Sequence, residues 1–179
     1  MKKVLFAIIV ISISLLPACK KNSSSDEAPI ALSDDQKELI ADSNSGFCIL
    51  DNLTLWNISS GVSKSISGCM IGEKLALLGQ TTQIVQAGAK RDLVHVRQSS
   101  GIEGWARAEY VISDSVLAVI ADDDAAVLAK PGLQAGTGRV LPRMTILAIH
   151  KDSAATAFLH VSCVEPSSGR LEKSVYLRN

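Results

Sequence analysis

The chain has 179 residues, with 18 basic and 18 acidic side chains and a formal net charge of zero. That balance excludes the basic footprint of a nucleic-acid binder, and the length suits one ordinary domain or two small ones. Aromatics make up only 4% of the residues, so the position of each one carries information.

The first residues read as an address. Lys2 and Lys3 form a charged start, and Val4 to Leu16 is an apolar run broken only by Ser12 and Ser14. The run is shorter than the roughly 20 residues that cross a bilayer, and it fits a secretory leader. It ends in Leu16-Pro17-Ala18-Cys19, which resembles a bacterial lipobox. The resemblance implies cleavage before Cys19 and lipidation of its thiol, although Pro17 departs from the usual pattern. An ordinary signal peptide with an incidental cysteine, or an uncleaved anchor, is the alternative. Two or more acyl chains anchor a protein stably, each buried methylene contributing ~0.8 kcal/mol. The implied location is the cell envelope, on a membrane surface outside the cytoplasm. Removing Lys2 and Lys3 from the 18 basic residues leaves 16 against 18 acidic ones, a net charge of −2.

Residues 19–45 read as a tether. Lys20 to Pro29 is polar, holds a proline and lacks apolar periodicity, a composition that stays disordered. Within the tether, Ser33 is an N-cap candidate, Gln36 closes a capping box, and Asp34 and Asp35 favour the positive end of a helix. A short helix is expected from there to about Ala41, marginal by itself at that length.

From Gly46 onward the pattern changes to short strands. Phe47 to Leu50 and Leu53 to Trp56 flank the turn pair Asp51-Asn52. A polar loop is expected from Asn57 to Gly68, then a turn at Gly72-Glu73-Lys74 and a strand from Leu75 to Leu78. Leu93 to Arg97 is the next strand. The turn Ser99-Ser100-Gly101 leads from it into Gly104-Trp105, and Tyr110-Val111-Ile112 closes the unit. A glycine directly before a large aromatic admits close approach of another backbone or ring. This order resembles bacterial SH3 domains, small barrels whose last strands carry a Gly-Trp…Tyr signature and whose long loop is the so-called RT loop. The resemblance implies a binding module with a peptide groove beside that loop.

The same order appears again. Val116 to Ile120, an acidic turn at Asp122 to Asp124, and Ala126 to Ala129 mirror Phe47 to Trp56. Lys130-Pro131-Gly132 opens a loop running to Gly138. Thr145 to Ile149 matches Leu75 to Leu78, Phe158 to Val161 matches Leu93 to Val96, and Val175 to Leu177 matches Glu109 to Val111. Leu171-Glu172-Lys173 stands where Gly-Trp is expected, so the second copy is degenerate. The expected fold is all-β: a leader at residues 1–18, a tether at 19–45, and tandem SH3-like barrels at 46–114 and 115–179.

Trp56, Trp105 and Tyr110 are the ligand-binding candidates in the first copy, since rings supply apolar contact while indole and phenol groups hydrogen-bond ligand carbonyls. Trp105 and Tyr110 serve equally as core fillers of a small barrel. Trp56 follows Leu55 on a period-two strand, so it points out if Leu55 points in. His95 and His160 recur at matching places, each expected on the outward face of a strand, and without neighbouring ligands neither marks a metal site. Cys48 and Cys69 lie in one copy, where an extracytoplasmic compartment permits a disulfide and buried free thiols fit as well. Cys163 and His160, three positions apart on a strand, face opposite sides. Asp122 to Asp124 reads as a solvated turn, too short to aim enough oxygens at calcium. No catalytic constellation, metal site or cofactor loop emerges. The expectation is a lipid-anchored, non-enzymatic binding protein whose ligand is peptidoglycan peptide or an envelope protein. The alternative is a structural or assembly lipoprotein whose barrels mediate protein contacts only.

Overall fold

Alternating apolar and polar residues become strands along the whole of the described chain. The computed structural model describes residues 38–59, 62–121, 124–153 and 157–178. Cys19, the leader and the start of the expected helix lie outside these residues, as do Asp122 and Asp123.

Twelve strands form. They are β1 (Ile40–Cys48), β2 (Leu53–Ser59), β3 (Val62–Cys69), β4 (Lys74–Gln86), β5 (Ala89–Arg97), β6 (Glu103–Arg107), β7 (Val111–Val119), β8 (Ala125–Leu128), β9 (Gly136–Leu141), β10 (Ile146–His150), β11 (Phe158–Val164) and β12 (Leu171–Arg178). One-turn 3-10 segments follow β6 at Ala108–Tyr110 and β10 at Lys151–Ser153. The strands make one sheet in the order β3-β2-β6-β5-β4-β1-β7-β10-β11-β12-β8-β9. The sheet is antiparallel and does not close on itself, so the fold is all-β but the two closed barrels expected from the sequence are not seen.

That order contains its own duplication. Read outward from the centre, one half runs β1-β4-β5-β6-β2-β3 and the other β7-β10-β11-β12-β8-β9, so each strand corresponds to the one six later. Backbone hydrogen bonds repeat with it, shifted by 72 residues. Cys48 N donates to Glu73 O at 2.9 Å, and Ile120 N donates to Thr145 O at 3.0 Å. Gly72 N donates to Cys48 O at 2.7 Å, and Met144 N donates to Ile120 O at 2.8 Å. Gly72 (φ 82°) and Met144 (φ 66°) therefore take the same left-handed turn, which glycine adopts freely and methionine under strain.

Several expectations change. Ile40 and Ala41 lie in β1 rather than ending a helix, and β1 begins inside the span assigned to the tether. The stretch Asn57 to Gly68 is not a loop: β2 continues to Ser59 and pairs with β3. Its serines alternate with Val62, Lys64 and Ile66, a pattern as compatible with an exposed strand as with a loop. Gly136–Leu141 is likewise a strand. β4 and β5 extend well beyond Leu75 to Leu78, ending in the turn Ala87-Gly88. β7 crosses the 114/115 boundary, and the structural repeat begins at Val111.

Each half has its own apolar cluster. Cys48, Leu53, Leu55, Cys69, Leu75, Val96 and Ala106 fill the first. Ile120, Val127, Leu141, Leu147, Leu159, Val161 and Leu177 are among those that fill the second. A third cluster of Ile49, Ile112, Ala148 and Val164 packs between them. At the centre, Ser45 to Cys48 of β1 are all buried rather than alternating, because this strand is covered on both faces.

The centre leaves no space at Gly46. A Cβ there would lie 2.7 Å from Val111 Cγ1 and 3.3 Å from the Ile112 carbonyl of the paired strand. Gly46→Ala should therefore destabilise the fold by about 1–3 kcal/mol. The matched control, Gly136→Ala, has nothing within 4 Å of the added atom and should leave Tm nearly unchanged. Equal melting curves for the two variants would contradict the register of the central pair.

Candidate functional site

Cross-strand register decides which side chains share a face, because directly opposed residues in an antiparallel pair point the same way. Trp105 is opposite His95 on β5 and opposite Trp56 on β2. The flanking Gly104 and Ala106 are buried toward the first cluster, so Trp105 stands on the outer face, half-buried. Leu55 is fully buried and Trp56 half-buried, as the period of two requires. The His95 and Trp105 rings stack with centroids 4.8 Å apart and planes 20° apart. Trp56, Trp105 and His95 thus form a row across three strands. Neighbouring strands lie about 4.8 Å apart, the spacing at which the His95 and Trp105 rings stack.

Gly104 makes the row possible. A Cβ at this position would sit 3.2 Å from Leu55 Cβ and 3.3 Å from the Trp56 carbonyl, so only glycine lets β2 approach β6 beside Trp105. Tyr110 is not part of the row. It lies in the 3-10 turn after β6, packs where the first and third clusters meet, and carries the Arg107 guanidinium 4.7 Å above its ring. His95 Nδ1 is buried without a hydrogen-bond partner, an unsatisfied polar atom beneath the row.

A cavity of about 630 Å³, within the usual range for ligand sites, lies where β1, β4 and the end of β5 meet. Its lining includes Ser45, Glu73, Lys74, Arg97, Gln98 and Leu117, and Arg97 lies two residues from His95 on β5. Gln98 organises the wall. Its amide accepts from Ser67 Oγ at 2.8 Å and donates to Gly68 O at 3.0 Å and to the Glu73 carboxylate at 3.1 Å. Arg97 is held outward by Glu103, with Nε–Oε1 at 2.7 Å. Both residues of that pair are about half exposed, so it contributes little to stability. The cavity therefore offers a carboxylate and cations side by side, and the ring row crosses the same strand β5 two residues away.

The second half carries a counterpart. His160 is opposite Tyr176, and Tyr176 is opposite Leu128. Tyr176 thus stands where Trp105 does, not at the place of Tyr110, because β12 pairs with β11 as β6 pairs with β5. His160 stacks on Tyr176 at 5.0 Å and on His150 at 4.2 Å. His150 Nε2 meets Ser162 Oγ at 2.9 Å, and His160 Nδ1 meets the Asp152 carboxylate at 3.2 Å. His150 was not singled out from the sequence. Its equivalent 72 positions earlier is Leu78, so only the strand register shows that it extends the row.

The thiols are inert. Cys48, Cys69 and Cys163 are free and buried in the structure. Burial pushes Cys48 to about 12, Cys69 to about 11 and Cys163 to about 12, far from the thiolate a nucleophile needs. Cys163 sits in the second cluster while His160 lies in the outer row, on opposite faces. Among the described residues no three His, Cys, Asp or Glu side chains gather at metal-binding distance, and no helix is long and apolar enough to cross a membrane.

Comparison with protein-family models, curated sequences and solved structures gives no match.

The His150 environment has a measurable consequence. Burial, then the charges of His160 and Lys173, hold its pKa below the ordinary 6.5, with Asp152 opposing. Unfolding at a pH between the folded and unfolded values therefore takes up a proton, and stability rises with pH there. The contribution is fully present above about pH 6.5 and is lost as the pH falls through the lower folded value. Tm followed from pH 8 to pH 5 should fall more steeply for the native chain than for His150→Gln. Parallel curves would remove His150 as the cause.

Proposed function

We propose that the protein is a lipid-anchored, extracytoplasmic binding protein, non-enzymatic, with tandem SH3-like units that hold peptidoglycan peptide or a partner protein. The recognition surface is the Trp56–Trp105–His95 row together with the cavity at the end of β5. What supports this reading most is the row of half-buried rings, with a cavity that carries Glu73 beside Arg97 and Lys74 at the end of the same strand β5. A short peptide with both carboxylate and amine groups matches such a mixture, its carbonyls meeting indole N–H donors and its apolar stems the ring edges. Anchoring rests on the Leu16-Pro17-Ala18-Cys19 motif, with Cys19 as the lipid-bearing residue.

A second reading, a structural or assembly lipoprotein, is favoured by the sheet edges. β3 ends one side of the sheet with Val62 at 69% exposure and Ile66 at 40%, and β9 ends the other with Val140 at 53%. Unpaired edges with exposed apolar side chains are templates for strand addition by another chain.

Co-sedimentation with insoluble peptidoglycan separates the two. The first reading expects retention of the native chain and at least a tenfold loss for Trp56→Ala, with far-UV circular dichroism and Tm confirming that the variant folds. No retention of the native chain would leave the assembly reading.

A further inference from the structure

A smaller cleft of about 200 Å³ lies where β5, β6 and the turn after it meet β12 of the other half. Lys90, Arg91, Arg107 and Lys173 line it, against Asp92 and Glu109. The two carboxylates are already engaged. Asp92 Oδ1 accepts from Gln83 Nε2 at 2.7 Å, and Glu109 pairs with Arg107 Nη2. Arg107 has only 23% of its side chain exposed, and its guanidinium lies over Tyr110. Its Nε is buried without any acceptor. The other three cations have no acid partner among the described residues.

This arrangement is unfavourable as it stands. Four cations against two carboxylates leave an excess of two positive charges in one concavity, in a chain whose total beyond the leader is −2. Concave surfaces focus such a field and concentrate counter-ions. Arginine presents a planar fork of donors that suits tetrahedral oxyanions, and lysine adds mobile point charge. A phosphate group, carrying roughly one to two negative charges, matches the excess.

We propose that this cleft binds a phosphate group, with Lys90, Arg91 and Lys173 supplying counter-charge and Arg107 the directed donors. Because Lys173 comes from β12 and the rest from the first half, the bound anion ties the two halves together. Two sources share this chemistry: the phosphodiester headgroup of an anionic lipid, which a membrane-tethered chain would meet, and free phosphate. The site is independent of the aromatic row and of whether that row binds peptidoglycan.

The test is a ¹⁵N–¹H titration of the full chain at low salt. One arm uses inorganic phosphate, the other the deacylated headgroup of phosphatidylglycerol. Saturable shifts are expected at residues 90–92, 107–109 and 173. The Kd should rise at least tenfold in Lys90→Gln/Lys173→Gln, and Arg91→Gln should give a smaller rise in a second background. Tighter binding of the diester assigns the site to a lipid headgroup, and tighter binding of inorganic phosphate assigns it to the free anion. Absence of saturable shifts in both arms, or an unchanged Kd in both variants, would overturn the proposal.

Discussion

The pairing of β1 with β7 is the constraint on which the rest of the sheet depends. Each of these strands is the innermost member of its half, and each pairs on its other side with the next strand of that half, β4 or β10. Close approach is required along the whole seam. Gly46 supplies it on one strand, while Ile49, Ile112, Ala148 and Val164 fill the space beneath. Since both halves contribute to that third cluster, separating them would expose apolar surface that neither half can cover alone. The duplicated strand order then follows outward from a shared centre, and the two edges end at β3 and β9.

Much of this pattern is visible in the residues. The alternation in Leu53 to Trp56 leaves Leu55 buried and Trp56 half-buried on the other face, while in Leu93 to Arg97 Val96 is buried and His95 half-buried although Leu93, on the His95 face, is buried as well. The turns at Gly72 and Gly101 carry the positive φ that their glycines suggest. The repeat itself is legible because strand spacing and turn chemistry recur even where side chains do not. What stays hidden has a physical cause. β3 and β9 are edge strands with one row of backbone groups in solvent, so their sequences need little apolar character and read as loops. Whether a curled sheet closes is decided by long-range pairing between its ends, and short-range periodicity carries no signal for that. β1 conceals its first half because Asp42-Ser43-Asn44-Ser45 reads as linker. Asp42 and Ser45 in fact form a local bulge, with Ser45 Oγ donating to Asp42 Oδ1 at 2.8 Å.

The aromatic row depends on register to a greater degree than on residue type. Matching Tyr176 to Tyr110 is the natural alignment by residue identity, yet β12 pairs with β11 so that Tyr176 faces His160, as Trp105 faces His95. A shift of a few residues along one strand changes which ring stands in the row, and sequence spacing alone cannot fix it. The same logic explains why His150 is seen only in the fold. It enters the row by lying opposite His160 across β10 and β11, from a segment whose equivalent in the other half bears leucine.

The two halves thus use one architecture to present different chemistry. The first half carries a tryptophan pair and one histidine in its row, and a separate cavity walled by Gln98, whose side chain bonds three partners from the β3 end and the following turn. In the second, the position equivalent to Gln98 holds Glu165, closing the same turn with Glu165 N bonded to Arg170 O as Gln98 N is to Ile102 O. Its carboxylate turns back on its own loop, accepting from Ser167 and Ser168, and those bonds draw its pKa down to about 2. A group spent on its own turn cannot wall a cavity against a neighbouring strand. The repeated backbone bonds keep the strand order the same in both halves, while the residues at outward and turn positions differ and give each half its own surface chemistry.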